Sequence, residues 1–158
     1  MIVVPDAGPL IYLGGAGQLE LLRHLYAEVV VPRIVIEEIV VAGAGLTGAR
    51  EVAAATWLRI EDVTPDPGLL LLLDRGEAAA IPLADRLHAT LLADDADARA
   101  VATDRGIPVI GTLGVLIAAK RRKLVSEIAP VIARMESLGM FVSDRLRKEV
   151  LRIAGEPT

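Results

Sequence analysis

The chain contains no cysteine and few aromatic or histidine residues. Of its 158 residues, 3% are aromatic and 2 are His. The absence of Cys excludes a disulfide framework, thiolate catalysis and cysteine metal sites. With so few imidazoles, a Zn²⁺ site is also a poor fit. A surface that holds single strands by base stacking normally needs more aromatic side chains than this.

Charge and hydropathy exclude further classes. The 17 Lys and Arg residues face 21 Asp and Glu residues, so the net charge of −4 gives no support for a broad attraction to nucleic acid. Mean hydropathy is +0.51, which is too apolar for a disordered chain. Charge-free stretches such as 106–119 are shorter than the roughly 20 apolar residues of a spanning helix. The first residues lack the basic region of a signal peptide. We therefore expect a cytoplasmic protein with no membrane contact.

Short apolar segments alternate with helical patterns along the whole sequence. The predicted strands cover residues 1–4, 29–31, 57–63, 90–93 and 107–110. Continuously apolar strands indicate a parallel sheet that is buried between helical layers. The sequence therefore predicts an α/β fold with helices on both faces of the sheet. We expect one domain over 1–158, with a core at 1–125 and additional helices at 126–158.

The connecting segments carry helix and turn signals. Helices are predicted at 33–42, 76–88, 97–105 and 112–123, with Thr112 and Ser143 as caps. Residues 42–48 are rich in Gly, which indicates a loop or a frayed helix end. Pro82 lies inside a predicted helix, where it removes a backbone hydrogen bond and should bend the helix.

Acidic residues follow two of the predicted strands. Asp6 comes directly after the first strand, and Asp94 and Asp95 come after the fourth. In open parallel sheets, ligands bind beyond the carboxyl ends of the strands. These acids are therefore candidate site residues.

Two more acids lie on predicted helices that start near the same edge. The neighbours of Glu38 at helical spacing are apolar, so Glu38 is expected to project toward the sheet, whereas Glu37 can pair with Arg33 and face water. Glu77 lies in the first turn of the helix that follows Asp74.

If Asp6, Glu38, Glu77 and Asp95 converge, their like charges need protons or cations to remain together. An all-carboxylate set suits Mg²⁺ or Mn²⁺. The chemistry that follows is metal-assisted attack of water on a phosphodiester.

Five segments then resemble one known family, the PIN-domain ribonucleases, which include the VapC-like toxins of bacterial and archaeal toxin–antitoxin pairs. The resemblance covers nearly the whole chain. Its segments, in order, are VVPDAGPLI at 3–11, VPRIVIEE at 31–38, DRGEAAAI at 74–81, LADDADAR at 92–99 and VIGTLGVL at 109–116. The third and fifth are similar to the D-x-G-E and G-T-L-G motifs of one subgroup.

The resemblance implies a five-stranded parallel sheet in a three-layer α/β/α fold, with the C-terminal helices added to it. It implies Mg²⁺- or Mn²⁺-dependent cleavage of RNA, a homodimer and an antitoxin partner. Aligned with the family motifs, the catalytic acids are Asp6, Glu38, Glu77 and Asp95. Ala93 stands where the family often has Thr and Asp94 follows it, so the metal ligand at this point is Asp94, Asp95 or both.

Each candidate also has a structural interpretation. Asp6 can organise the turn before Pro9, Asp95 can cap the next helix, and Asp74 with Glu77 has the spacing of a capping box. The basic run at 120–123 suits either a helix C-terminus or RNA phosphates. Arg99 can reach a phosphate or pair with Asp95.

Two other functions fit the same residues. One is a non-catalytic PIN-like module that binds a partner protein, for which millimolar Mn²⁺ would not raise the melting temperature. The other is a phosphotransfer domain with Asp6 as phosphoacceptor. Such domains usually need a Lys near the acids, and this chain has only Lys120, Lys123 and Lys148.

Overall fold

The computed structural model describes residues 1–42 and 48–158. Five parallel strands form one sheet in the order β3-β2-β1-β4-β5. The strands are β1 (Ile2–Pro5), β2 (Glu28–Pro32), β3 (Arg59–Glu61), β4 (Thr90–Leu92) and β5 (Val109–Ile110). The predicted α/β class and parallel sheet are confirmed. The third and fifth strands are shorter than expected, because both lie at the edges of the sheet and pair on one side only.

Nine α-helices connect or flank the strands within the described residues. They are α1 (Ala7–Gly15), α2 (Glu20–Leu25), α3 (Arg33–Glu37), α4 (Ala49–Ala54), α5 (Arg75–Leu87), α6 (Ala96–Asp104), α7 (Thr112–Arg121), α8 (Ala129–Ser137) and α9 (Asp144–Ala154). The predicted loop at 42–48 falls mostly on residues 43–47, outside the described residues. None of the described helices has the length and apolar character needed to cross a bilayer.

The alternation of side chains along the central strands divides the core between the two faces of the sheet. Val3 and Leu92 belong to an apolar cluster with residues of α1, α7, α8 and α9. Val4 and Leu91 belong to a second cluster with residues of α5 and α6. Both clusters are fully buried at the central strands, which explains why these strands are apolar at every position. The structure is therefore the expected three-layer arrangement.

Several helix boundaries differ from the sequence prediction in ways that affect the site. The predicted helix over 33–42 ends at Glu37, and a π-helical turn continues over Glu38–Ala42. The helix cap predicted at Thr112 is instead Gly111, since Thr112 is the first helical residue and its hydroxyl bonds Asp94. The cap at Ser143 is confirmed, because its side chain accepts the Leu146 N–H at 3.1 Å. Helix α5 runs through Pro82 without a break.

The C-terminal helices are attached by one buried carboxylate. Glu156 accepts the backbone N–H groups of Ile128 at 2.7 Å and Ala129 at 3.0 Å, where α8 begins. It also pairs with Lys120 of α7 at 2.7 Å. These contacts lower the pKa of Glu156 although its burial opposes ionisation. In addition, α8 and α9 contribute buried residues such as Ile132 and Leu151 to the same core cluster as α1 and α7. The division into a core at 1–125 and added helices at 126–158 stays a prediction.

Candidate active site at the carboxyl edge of the sheet

The position of β1 in the sheet creates the crevice in which the acids gather. β1 lies between β2 and β4. The first half of the chain adds β2 and β3 on one side of β1, and the second half adds β4 and β5 on the other side. Pro5 is paired with Leu92, and the Asp6 N–H donates to the Leu92 carbonyl at 2.9 Å. Asp6 and the residues that follow β4 are therefore neighbours at a topological switch point, where open α/β sheets bind ligands.

Asp6 and Glu38 meet above Gly76. A Cβ atom at Gly76 would lie 2.9 Å from Glu38 Oε2 and 3.4 Å from Asp6 Oδ1. Both carboxylates therefore contact the first turn of α5, and any larger residue at position 76 would displace Glu38. The close approach of Glu38 favours glycine at this position, a reason that the sequence motif alone did not reveal.

The separation of Glu37 from Glu38 agrees with the structure. Glu37 is exposed, whereas Glu38 is half-buried beside Asp6. The expected pairing of Glu37 with Arg33 is not formed, because the Arg33 Nε donates to Asp62 Oδ1 at 2.6 Å. Burial and the nearby charge of Asp74 raise the pKa of Glu38, while the Gly76 N–H and the charge of Arg75 lower it.

Glu77 takes part in a capping box and also faces the acidic crevice. Asp74 Oδ1 accepts the Glu77 N–H at 2.8 Å, and the Asp74 N–H donates to Glu77 Oε1 at 3.1 Å. Glu77 is only 7% exposed. Its pKa is raised to about 7, chiefly by burial and also by the charges of Asp74, Asp6 and Asp95. Glu77 therefore fits both interpretations, because it completes the capping box and also lies among the acids of the candidate site.

The pKa of Asp6 is raised for the same reasons as that of Glu77. Burial raises its pKa to about 7, the Ala7 N–H opposes this, and the charges of Asp74, Glu38 and Asp95 raise the pKa further. Among the acidic neighbours, Asp74, which the sequence analysis treated only as a helix cap, thus has the largest effect on the pKa values of Asp6, Glu38 and Glu77. The sequence indicated Asp74 only through the D-x-G-E spacing, and a capping box alone was sufficient to explain that spacing.

The two acids after β4 have different surroundings. Asp95 Oδ2 accepts the Ala98 N–H at 3.0 Å and caps α6, and its charge acts on both Asp6 and Glu77. Asp94 instead accepts the Thr112 N–H at 2.8 Å and the Thr112 hydroxyl at 2.6 Å. The structure therefore brings Asp6, Glu38, Glu77 and Asp95 together beyond the carboxyl ends of the strands, which we call the carboxyl edge. Asp94 instead holds the start of α7.

Arg99 lies near this segment and does not form the ion pair with Asp95 that was one of its two interpretations. Its Nη1 donates to the Ala93 carbonyl at 2.9 Å, and the guanidinium lies against Gly111. Arg99 therefore stabilises the turn between β4 and α6 from the side of β5.

The donor set suits a hard divalent cation, since it consists of carboxylates without thiolate or imidazole. Within residues 1–42 and 48–158, no three Asp, Glu or His side chains already stand in a geometry that would hold one metal ion. The hydrogen bonds explain this. Glu77 is bonded to the Asp74 N–H and Asp95 to the Ala98 N–H. We expect a cation to draw these carboxylates off their backbone partners.

The raised pKa values predict that metal-free protein loses stability as pH rises from about 4 to about 7. Asp6 and Glu77 hold their protons up to about pH 7 when folded, whereas the ordinary pKa values of these carboxyls are 3.8 and 4.5. Unfolding in this range therefore releases protons, so rising pH favours the unfolded chain. The pKa of Glu156 is lowered, so its contribution to stability is lost only as the pH falls below the ordinary value of 4.5, outside most of this range.

Thermal melts in EDTA measure the effect. The melting temperature is expected to be lower at pH 8 than at pH 5, and millimolar Mn²⁺ at pH 8 should recover most of the difference. The variant Glu77→Gln serves as the control and should show a smaller pH dependence. A melting temperature that rises between pH 5 and pH 8 without metal would contradict the prediction.

Comparison with known proteins gives results for families and for structures. A family model described as PIN domain matches residues 2–156. The chain is also similar to a PilT N-terminus domain protein from the hyperthermophilic archaeon Sulfolobus solfataricus P2. That match has a TM-score of 0.55 at 20% identity and covers 75% of this chain and 93% of that one.

A second structure is more distant. It is a domain of a functionally unknown protein from Methanocaldococcus jannaschii DSM 2661, with a TM-score of 0.44 and 17% identity over 70% of this chain and 89% of that one. No curated protein matches the sequence.

Proposed function

Because the chain belongs to the PIN-domain family, whose members are typically nucleases, we propose that it is a metal-dependent endoribonuclease that hydrolyses RNA phosphodiester bonds. The observation that carries the proposal is the meeting of Asp6 and Glu38 over Gly76, with the charges of Glu77 and Asp95 acting on Asp6. Negative side chains are collected here at a cost in free energy, which a bound cation offsets.

Asp6, Glu38, Glu77 and Asp95 are the residues that would hold Mg²⁺ or Mn²⁺. The bound cation would lower the pKa of a water molecule and neutralise charge on the phosphoryl oxygens. The protein residues provide the positions. Asp6 is fixed by the pairing of β1 with β4, and Glu38 by the π-helical turn that begins at this residue. Glu77 is placed by the first turn of α5.

The test is metal removal. Purified protein with 5′-labelled single-stranded RNA and millimolar Mn²⁺ or Mg²⁺ is expected to give internal cleavage products, and excess EDTA should abolish them. Gel separation of the products distinguishes internal cuts from shortening at the ends. Hydrolysis of a small phosphate ester without RNA cleavage would favour the phosphotransfer alternative instead. Intact RNA together with an unchanged melting temperature in Mn²⁺ would favour a non-catalytic binding module.

Against the phosphotransfer alternative stands the position of the lysines. Lys120 is bonded to Glu156, Lys123 follows the C-terminus of α7, and Lys148 is exposed on α9. None of the three lies next to the carboxyl end of a strand, where the acids gather.

A narrower proposal concerns partners. We propose that the chain is the toxin of a toxin–antitoxin pair, acts in the cytoplasm and forms a homodimer. These points rest on the family resemblance. Co-purification with a small protein encoded by an adjacent reading frame tests the first of them.

A further inference from the structure

The edge of the sheet opposite the acids carries a groove with aromatic and basic side chains. Tyr26 and Glu28 precede and begin β2, and Trp57 and Arg59 precede and begin β3. The strands are parallel, so these residues lie at the amino-terminal ends of the strands, which we call the amino edge. Asp6 and Asp95, in contrast, follow the carboxyl ends. Five residues of β2 at about 3.3 Å each place the two edges roughly 15 Å apart. The proposed catalytic residues therefore take no part in this groove.

The groove has room for planar groups. One part, of about 230 Å³, is lined by Tyr26, Trp57, Arg23 and Arg59. An adjoining part, of about 450 Å³, continues from Arg23 and Trp57 toward Gly17 and Thr56. Two of the four aromatic residues in the chain thus line one continuous depression, in a protein with only 3% aromatic residues.

One face of Trp57 is already occupied by a planar cation. The Arg23 guanidinium carbon lies 5.9 Å from the centre of the indole ring, near the outer limit of a cation–π contact. A nucleobase that stacks on the exposed part of this ring would have the guanidinium at its rim. That is where the phosphate of the same nucleotide needs a cation.

More cations lie beside the groove. The Arg122 Nη1 donates to the Leu25 carbonyl at 3.4 Å, which places the C-terminus of α7 next to Tyr26. Arg121, Arg122 and Lys123 are exposed. Among the described residues, none of these three has a carboxylate within 4.0 Å, so their charges are free for a ligand.

Four carboxylates lie in or near this groove and offset part of its positive charge. Glu20 lies 3.7 Å from Arg23, and Glu28 lies 3.5 Å from Arg59, with all four side chains about half exposed or more. Arg59 also bonds Glu61 at 2.8 Å, and Glu51 lines the adjoining part of the groove. The two exposed pairs contribute little to stability. The excess of positive charge on this side of the sheet comes from the C-terminus of α7, where Arg121, Arg122 and Lys123 add three cations to a groove lined by two arginines and three glutamates.

We propose that this surface, which we call the amino-edge groove, binds single-stranded RNA through base stacking on Trp57 and phosphate contacts of the flanking arginines. Its residues are Arg23, Tyr26, Trp57, Arg59, Arg121 and Arg122. The choice of RNA rests on the proposed function, while the geometry of the groove does not. The groove holds a segment of RNA away from the acids, so that it adds affinity for long strands without taking part in cleavage.

The test separates binding from cleavage. Fluorescence anisotropy with a labelled 20-nucleotide unstructured RNA is measured in EDTA, where no metal-dependent cleavage takes place. Trp57→Ala is expected to weaken binding about 10-fold, since stacking of one base contributes about 1–3 kcal/mol. Arg122→Glu should weaken binding and reduce the slope of affinity against salt by about one phosphate contact or more. Arg122 makes no core contact, so this variant remains informative if Trp57→Ala is unstable.

Two controls and one direct signal complete the design. Phe141→Ala and Arg145→Glu change an exposed aromatic and an exposed Arg away from the groove, and should leave the affinity unchanged. Trp57 is the only tryptophan, so RNA should quench the intrinsic emission with the same midpoint as the anisotropy. Equal affinities for all variants, or binding without quenching, would overturn the proposal. So would preferential binding of polyglutamate over RNA, which would assign the groove to an acidic polypeptide.

Failure of this proposal differs from failure of the proposed function. If the groove variants bind RNA like the parent protein while metal-dependent cleavage persists, only the groove assignment is wrong. If the groove binds RNA and no cleavage occurs with Mn²⁺, only the nuclease assignment is wrong.

Discussion

Replacing Asp6 with Asn is expected to lower metal-dependent RNA cleavage about 100- to 1,000-fold while raising the melting temperature of the metal-free protein. The carboxylate is central to the acidic edge, where the charges of Asp74, Glu38 and Asp95 all act on it. An amide of nearly the same shape removes a cation ligand. It also removes a buried charge whose ionised form is unfavourable near neutral pH.

The stability gain at pH 8 in EDTA is expected to be about 2 kcal/mol, which corresponds to roughly 6 °C for a chain of this size. Cleavage rates in Mn²⁺ and thermal melts in EDTA measure the two effects on the same preparation. The matched control is Glu37→Gln, because Glu37 is the exposed neighbour of Glu38 and should change neither quantity. Full activity of Asp6→Asn would end the assignment of the catalytic edge.

The second large effect is on folding. Glu156→Ala is expected to lower the free energy of unfolding by about 3 kcal/mol, because it leaves Lys120 and two backbone N–H groups at the start of α8 without their acceptor. Urea denaturation followed by circular dichroism measures the change. Glu156→Gln should cost less, since the amide oxygen can still accept one of the N–H groups.

An exposed pair provides the comparison. Glu149→Ala removes a carboxylate of α9 that bonds Arg152 on the surface, and should leave the stability nearly unchanged. If Glu156→Ala and Glu149→Ala were equally mild, the buried carboxylate would not hold the C-terminal helices as described. Activity per folded molecule should stay unchanged in both variants, because neither residue lies at the acidic edge.

The fold class could be predicted from the sequence because its apolar strands can be fully buried in only one kind of sheet. Segments such as 29–31 are apolar at successive positions, and only a sheet covered on both faces buries them all. Edge strands were less predictable. β3 carries Arg59 and Glu61 and is half covered, so its ends depend on the partner strand rather than on its own residues.

The predictable part of the site was the pair of acids that follow strands. Asp6 and Asp95 are placed by strand pairing, which the sequence indicates well. Glu38 was identified by its apolar neighbours, but the π-helical turn that sets its direction has no sequence signature known to us. The roles of Asp94 and Asp74 could not be separated from those of their neighbours, since only tertiary contacts distinguish them. Thr112 draws Asp94 away, and the charge of Asp74 reaches Asp6 across space.

Membership in the PIN-domain family confirms the resemblance that the motifs indicated. The VapC-like role, the partners and the ligand roles of the acids stay predictions. The basic run at 120–123 illustrates why position matters more than composition. Lys120 is a structural partner of Glu156, while Arg122 borders the amino-edge groove, although the two lie only two residues apart.

The position of Glu156 has a consequence for synthesis of the protein. All the acids of the carboxyl edge have been translated once Asp95 is added to the chain, but the acceptor that completes the start of α8 is added 61 residues later. Until then the apolar side of α1 and α7 lacks the cover that the last helices provide. A nascent chain therefore contains all the acids of the carboxyl edge before the layer that α8 and α9 complete has formed. Chaperone capture during translation should be strongest over the interval between these two points.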